Sequence, residues 1–255
     1  MKTINLNNVT VFVVKDYKAL SEKGASIIAA LLMTKKDAVL GLATGSTPQG
    51  VYEELVRMNK SGEITFKGVH TYNLDEYYPI DKSNAQSYDY FMKENLFNHI
   101  DIDMANTHIP NGMAENSTKE SSSYDQKVRS IGGVDIQLLG IGSNGHIGFN
   151  EPSDVFEPMT HRVQLDERTI KDNARFFGSI EEVPTEAITM GIGTIMSAKV
   201  LLLLANGEKK ATAIKEMLLG KVKPRMQASI LQFHKNVIVV VDESAASELI
   251  AELKE

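Results

Sequence analysis

Cysteine is absent from this chain of 255 residues. Its absence excludes disulfides, thiolate nucleophiles and thiolate metal ligands. The six histidines are scattered along the sequence, and they form no His-x-x-x-His pair of the kind that binds zinc on a helix. We therefore expect an activity that uses neither a catalytic metal nor a cofactor.

Long apolar runs and blocks of one charge are also missing. No stretch approaches the length needed to cross a bilayer, and the first residues, MKTINLNNVTVFVV, lack the basic start and long apolar core of a signal peptide. The net charge is −6, with acidic and basic residues interspersed, which argues against a nucleic-acid surface. We expect a cytoplasmic protein that binds neither nucleic acid nor membrane.

Apolar stretches typical of strands alternate with stretches of helical periodicity. The strand candidates are residues 9–14, 38–43, 69–74, 134–141, 200–205 and 237–241. The helix candidates include residues 17–33, 49–59, 87–97, 118–131, 208–219 and 243–253. This alternation predicts a doubly wound, mostly parallel sheet with helices on both faces, a Rossmann-like α/β fold. Because the length suits one α/β unit and no linker or repeat interrupts it, a single domain over residues 1–255 is predicted.

One segment, residues 151–184, breaks the alternation. It is irregular, contains Pro152, Pro158 and Pro184, and carries several charges. A connection this long is usually functional or mobile. A surface insertion without motion is the plain alternative.

The most informative motif, VDIQLLGIGSNGHIGFNEP, runs over residues 134–152. A buried strand opens there into a glycine-rich loop, and ligands of α/β proteins bind beyond the carboxyl ends of such strands. His146 in this loop is a candidate general acid or base, and Glu151, five positions later, is a candidate to orient it and stabilise its charged form. The alternative is an ordinary turn with a surface histidine, which would have the same sequence pattern.

A second strand candidate runs into a loop of hydroxyl groups and glycine, VLGLATGSTP over residues 39–48. Thr44, Gly45, Ser46 and Thr47 precede a helical stretch, and free N–H groups at a helix start form an anion site. The alternative is a helix capped by Ser46 or Thr47, with Pro48 in the first turn. No lysine follows as in a nucleotide-cleaving phosphate loop.

A third strand candidate ends in two adjacent carboxylates, within VHTYNLDEYYP over residues 69–79. On an extended chain Asp75 and Glu76 point to opposite faces. Only one of the two is then expected to face a cleft and act as a base. Both would be solvated loop acids in the plain alternative.

Taken together, these motifs resemble the glucosamine-6-phosphate deaminases, which convert glucosamine 6-phosphate and water into fructose 6-phosphate and ammonia. The likeness spans nearly the whole chain, through LATGSTP, NLDEYYP, GIGSNGHIGFNEP, NARFF, GEKKA and ASILQFH. It implies an amino-sugar phosphate as substrate and a lid over residues 151–184. It also implies that Asp75 is the base that moves a proton between C2 and C1. It implies that His146, supported by Glu151 and Asn144, opens the sugar ring. The phosphate contacts that it implies are Thr44, Gly45, Ser46, Thr47, Arg175 and Lys210.

The chain departs from the family pattern at two places. Well-studied members carry aspartate where this chain has Asn144, so we expect a ring-opening step with a different pH dependence. Hexameric members are activated by N-acetylglucosamine 6-phosphate through basic residues, where this chain has His161 and Val163. Little or no such activation is predicted, because an anionic effector needs those charges. A homo-oligomer remains an open alternative to a monomer.

Related functions are the remaining alternatives. A galactosamine-6-phosphate deaminase would differ only in how one substrate hydroxyl is oriented, which motif letters do not resolve. A 6-phosphogluconolactonase needs only hydrolysis, so Asp75 favours the deaminase. A non-catalytic sugar-phosphate sensor would lose the acid–base residues or gain a DNA-binding segment, and this sequence does neither.

Overall fold

The longest apolar runs of the chain become the inner strands of one large sheet. A computed structural model describes residues 1–254, with the backbone alone for Asp172 and Phe176, so Glu255 of the predicted domain lies outside the described residues. The strands in this part of the chain are β1 (Lys2–Leu6), β2 (Val9–Val14), β3 (Val39–Leu42), β4 (His70–Asn73), β5 (Asp75–Tyr78), β6 (Thr107–His108), β7 (Ile136–Leu139), β8 (His161–Gln164), β9 (Glu186–Thr189), β10 (Val200–Ala205) and β11 (Val237–Asp242).

The helices pack around this sheet and bury its faces. Within the described residues they are α1 (Tyr17–Thr34), α2 (Ser46–Lys60), α3 (Tyr88–Asn95), α4 (Ser117–Ser130), α5 (Glu167–Asn173), α6 (Ile192–Met196), α7 (Ala211–Leu219) and α8 (Ser247–Glu252). Short 3₁₀ turns include Ala174–Phe176, Glu208–Lys210 and Gln227–Phe233. Along the described chain, no helix combines the length and the apolar character that a membrane crossing requires.

The large sheet has the strand order β1-β2-β11-β10-β7-β3-β4-β6. Only β1 and β2 pair antiparallel, and the other neighbours in this described sheet are parallel. The prediction of a mostly parallel, doubly wound sheet is confirmed. The chain winds outward from β3 to β6, then returns to β7 on the other side of β3, so the winding reverses between β3 and β7. Ligands of such folds bind outside the carboxyl ends at this reversal.

A second, antiparallel sheet, β5-β9-β8, was not predicted. β8 belongs to the segment 151–184, which the sequence shows only as irregular, and α5 lies there too. The four residues of β8 alternate between half-buried and exposed positions, a pattern too short to identify a strand. Its partner β9 lies more than twenty residues later, so the pairing is a product of tertiary contacts.

Leu74 joins the two sheets. Its N–H donates to the carbonyl of Leu42 at the end of β3, and its carbonyl accepts from the N–H of Met190 beyond β9. The next residue, Asp75, therefore begins β5 at the junction of the sheets, close to the point where the winding reverses.

Candidate active site

The hydroxyl-rich loop after β3 leads directly into α2, and its geometry differs from that of a capped helix. Gly45 precedes the helix with φ of 101°, a conformation that suits glycine, and no side chain caps the first turn. The hydroxyl of Thr47 instead donates to Oδ1 of Asn206 at 2.8 Å. The capping alternative for Ser46 and Thr47 is therefore wrong, and the N–H groups of the first turn remain available to an anion.

Lys210 stands at the end of the Glu208–Lys210 turn that follows β10, half-buried at the start of α7. The Thr47–Asn206 hydrogen bond ties this second loop to the first. Arg175 reaches the same place from residues 151–184, with Nη2 3.4 Å from Oγ of Ser46. Arg175 therefore lies at the start of α2, and the loop that carries Lys210 is hydrogen-bonded to the same place. An arginine, a lysine and a helix start are a combination that suits a phosphate dianion.

Asp75 is buried, with 6% of its surface exposed. It accepts no hydrogen bond from the residues that the structure describes, and the charge that acts on it is that of Glu76. Burial, and then the charge of Glu76, raise the pKa of the Asp75 carboxyl to about 8. A carboxyl left without donors is a strong base once it ionises, because nothing in the protein stabilises its charge.

Glu76 has the opposite surroundings, as the alternation of side chains on a strand requires. Its carboxylate accepts hydrogen bonds from the N–H groups of Tyr77 at 2.9 Å, Tyr88 at 2.9 Å and Asp89 at 3.0 Å. These contacts hold the start of α3 and leave little capacity for chemistry. Of the two adjacent acids, Glu76 is held by backbone donors and Asp75 is left without them.

The glycine-rich loop after β7 brings His146, Asn144 and Glu151 together. Oε2 of Glu151 lies 3.3 Å from Nδ1 of His146, at ion-pair distance but outside good hydrogen-bond alignment. The amide of Asn144 donates to the same Oε2 at 3.0 Å, and its Oδ1 accepts from the His146 N–H at 3.2 Å. The imidazole packs so closely over Gly142 that a β-carbon there would lie 2.4 Å from Cε1. His146 is thus held by backbone, amide and carboxylate.

Asp75 and the His146 loop meet at Gly148. A β-carbon on Gly148 would lie 3.4 Å from Oδ2 of Asp75, so glycine lets the loop pass directly beside the carboxylate. The N–H of Phe149 donates at 3.0 Å to the hydroxyl of Thr189, the residue that pairs with Asp75 in the small sheet. Two segments about seventy residues apart in sequence therefore share one site.

Comparison with known proteins shows the family. A family model described as glucosamine-6-phosphate isomerases/6-phosphogluconolactonase matches residues 16–240. The chain belongs to this family. Among curated proteins, glucosamine-6-phosphate deaminase of Clostridioides difficile (strain 630) is 53% identical over 94% of this chain and 96% of that protein. The counterpart in Clostridium novyi (strain NT) is 54% identical over 92% of this chain and 98% of that protein.

Solved structures agree with this family. A monomeric glucosamine-6-phosphate deaminase superposes with a TM-score of 0.92 at 45% identity, covering 93% of this chain and 99% of that one. The 6-phosphogluconolactonase of Thermotoga maritima has a TM-score of 0.72 at 20% identity, covering 92% of this chain and 99% of that one, a likeness that shows the fold alone. The resemblance inferred from the sequence motifs is confirmed.

An aromatic group beside the site was not identified from the sequence. Tyr77 and Tyr88 lie 4.9 Å apart between ring centroids, and the ring of Phe149 stacks on that of Tyr88 at 6.0 Å. Phe177, from residues 151–184, meets Tyr77 edge-on at 5.6 Å. These tyrosines and phenylalanines are spread over about a hundred residues, so no sequence motif contains them together. Only the tertiary fold brings them into contact.

Proposed function

We propose that this protein is a glucosamine-6-phosphate deaminase. The observation that carries the proposal is the meeting of the Asp75 carboxylate with the His146–Glu151 loop at Gly148, in a chain whose helix α2 also begins without a side-chain cap. An aldose–ketose isomerisation needs a base over C1 and C2 together with a proton donor at the ring oxygen. The names of relatives about 50% identical over nearly their whole length supply the substrate.

Binding begins at the phosphate. The N–H groups of Gly45, Ser46 and Thr47 donate to its oxygens, and Arg175 and Lys210 balance its charge. The phosphate is at the opposite end of the sugar from the reacting carbons C1 and C2. The binding energy of the phosphate therefore serves to orient these carbons.

Ring opening follows at His146. The imidazole delivers a proton to the ring oxygen as the C1 hydroxyl loses its own, so the C1–O bond opens to the aldehyde. Glu151 stabilises the charged imidazole, while Asn144 holds the Oε2 atom of Glu151 in place. Burial opposes the charge on Glu151, but the charge of His146 and the hydrogen bond from Asn144 hold its pKa below the usual value.

Isomerisation and deamination complete the reaction. Ionised Asp75 takes the proton from C2 while the C1 oxygen regains the proton that it lost at ring opening, which gives an enolamine. Asp75 then returns its proton to C1, which leaves an imine at C2. Water adds to the imine carbon, and the C–N bond breaks to release ammonia and fructose 6-phosphate. The balance requires only the sugar and one water.

The deciding experiment measures ammonia released from glucosamine 6-phosphate and galactosamine 6-phosphate in parallel. We expect rapid turnover of the gluco epimer and a rate at least about a hundredfold lower for Asp75→Asn. Turnover confined to the galacto epimer would transfer the assignment to that substrate. Hydrolysis of 6-phosphogluconolactone that survives Asp75→Asn, without ammonia release from either amino sugar, would identify a lactonase.

We also propose that residues 151–184 act as a lid closed by the phosphate. Arg175 at the anion site and Phe177 against Tyr77 are contacts that substrate binding would tighten. Protease cleavage within 151–184 should slow when a substrate analogue is bound. Equal cleavage with and without the analogue would mean a static surface insertion.

Arg175→Met is expected to raise KM about 10–100-fold with a smaller change in kcat, because a charge-assisted contact to phosphate contributes about 1.5–3 kcal/mol. Arg168→Met, an exposed arginine in the same lid, is the matched control and should leave KM unchanged. Non-phosphorylated glucosamine should be turned over equally poorly by wild type and Arg175→Met. A KM for glucosamine 6-phosphate that stays within twofold would remove Arg175 from the phosphate site.

Asn144→Asp is expected to change the pH dependence of kcat/KM rather than abolish activity. The substitution replaces the amide donor, 3.0 Å from Oε2 of Glu151, with a second carboxylate. Two like charges at that distance do not both ionise easily, so the Glu151 pKa should rise. A second ionisation should then steepen the acidic limb, whose upper part is set by Asp75. A pH–rate profile recorded for both proteins measures the shift, and superimposable acidic limbs would show that residue 144 and Glu151 are not coupled.

Assembly and location remain part of the proposal. His161 and Val163 lie in β8, and neither supplies the permanent cation that an anionic effector would need, so activation by N-acetylglucosamine 6-phosphate is still predicted to be weak. The structural relative described as monomeric makes a monomer our preferred form over a homo-oligomer. A charged sugar phosphate does not cross a bilayer unaided, so we place the enzyme in the cytoplasm.

A further inference from the structure

Residues 223–229 form a compact turn beside the catalytic loop, here named the clamp segment. The N–H of Met226 donates to the carbonyl of Lys223 at 2.9 Å, and the N–H of Lys223 donates to Oγ of Ser229 at 2.9 Å. Gln227, Ala228 and Ser229 are buried. The clamp segment is therefore rigid in itself, and whatever it touches on either side is held at a fixed distance.

On one side the clamp segment holds the loop of His146. The N–H of Ala228 donates to the carbonyl of Gly145 at 2.9 Å. The sulfur of Met226 lies 2.1 Å from the position that a β-carbon on Gly145 would occupy. Gly145 also has φ of 88° and stands between Asn144 and His146. Met226 thus presses directly on the turn that carries the ring-opening group.

On the other side the clamp segment holds the first residues of the lid. The side-chain amide of Gln227 donates to Oγ of Ser153 at 3.3 Å and to the carbonyl of Val155 at 3.1 Å. The N–H of Ser153 donates to the carbonyl of Pro224 at 3.3 Å, and Arg225 pairs with Asp154. Three consecutive lid residues are therefore attached to the clamp segment.

Gln227 is 2% exposed, and its Oε1 has no hydrogen-bond partner among the described residues. A buried acceptor without a partner is unfavourable, so a glutamine is a poor choice if this position serves only to fill space. Its amide N–H groups are what the position uses. They donate to the carbonyl of Pro224 at 2.8 Å within the clamp segment, and also to Ser153 and Val155 of the lid, so one side chain joins the two.

We propose that Gln227 and Met226 are positioning residues that couple the start of the lid to the catalytic loop. This inference rests on the proposed deaminase function. When residues 153–155 take up their closed position, Gln227 and Met226 move with them. This movement fixes the position of Gly145 and therefore of His146. Neither residue touches the reacting atoms.

The test compares Gln227→Met with Gln232→Met. Gln232 lies in the same 3₁₀ helix and also donates to two carbonyls, Met217 at 2.8 Å and Gly220 at 2.9 Å, but these belong to the end of α7, away from the site. Gln227→Met should lower kcat about tenfold with KM within about threefold, since a small misplacement of a catalytic group is costly. Gln232→Met should lose about as much thermal stability as Gln227→Met and still retain the wild-type kcat. Equal kcat values for the two variants would overturn the proposal.

A second pair of variants distinguishes a loss of coupling from a folding defect. Met226→Leu conserves volume and should keep kcat within about threefold, whereas Met226→Ala should lose about tenfold. Amide hydrogen exchange provides a readout that needs no activity: it should accelerate over residues 143–151 in Gln227→Met but not in Gln232→Met. Unchanged exchange there overturns the coupling, whereas wild-type protein that releases no ammonia overturns only the proposed reaction.

Discussion

Asp75→Asn is expected to lower kcat about 10²–10⁴-fold, the usual contribution of a general base, and at the same time to make the protein more stable. The carboxyl is buried without donors, and its pKa is raised to about 8, first by burial and then by Glu76. An amide has the same shape and no charge to desolvate. The loss of activity and the gain of stability therefore share one cause.

The stability gain should depend on pH in a defined direction. Folded Asp75 keeps its proton up to about pH 8, whereas the unfolded chain releases it near pH 4, about the ordinary value. Between these values the native state binds more protons, so wild-type stability falls as pH rises. The extra stability of Asp75→Asn over wild type should be absent below about pH 4 and largest near pH 8. It is measured as a difference in melting temperature, about 2–4 °C for each kcal/mol.

The wild-type rate should follow the same ionisation. Because the carboxylate is the active form, kcat/KM should decline as pH falls below about 8. Glu76→Gln is the matched control from the neighbouring position. It removes a charge that raises the Asp75 pKa, so the acidic limb should move to lower pH, while the weakened contacts to Tyr88 and Asp89 reduce stability. An Asp75→Asn protein that melts below wild type at pH 8 would contradict this account of the site.

His146→Gln is expected to lower kcat by about 10²–10³-fold and to change what limits the reaction. Asp75 is intact in this variant, so sugar that opens spontaneously in solution is still isomerised. The rate should then rise with enzyme concentration only until it equals spontaneous ring opening, and remain constant above that concentration. Asp75→Asn should show no such plateau, because its missing step occurs after the ring is open.

The control for this variant is His161→Gln, which changes a half-buried histidine in β8 whose Nδ1 contacts only the carbonyl of Met159 in the structure described. It should retain wild-type kcat. If His146→Gln keeps a near wild-type kcat that is proportional to enzyme concentration throughout, then ring opening does not depend on His146, and the carboxylates alone must account for the reaction.

The sequence alone identified the elements whose signal is local. Residues 200–205 were predicted as a strand and form β10 with the same bounds, because a strand buried on both faces is apolar at every position. The helical stretch at 17–33 is α1, Tyr17–Thr34, with Asp16 as its cap. Glycine spacing likewise marked the loop of His146, since free backbone approach needs glycine wherever it occurs.

Contacts between distant segments were beyond sequence analysis. Asp75 and Glu76 are chemically alike as neighbours on one strand. Only the packing of α3 against β5 assigns one to backbone donors and leaves the other without them. The position of Arg175 at Ser46, across 129 residues, depends in the same way on how residues 151–184 are folded.

The sequence by itself determined the parallel sheet, the family and the chemical groups available, because burial and backbone freedom are properties of short segments. The tertiary structure decided which groups meet: the second sheet, the Asp75–Gly148 approach and the clamp segment against Gly145. The physical reason is that a contact between distant segments depends on the packing of everything between them, and no local pattern records it.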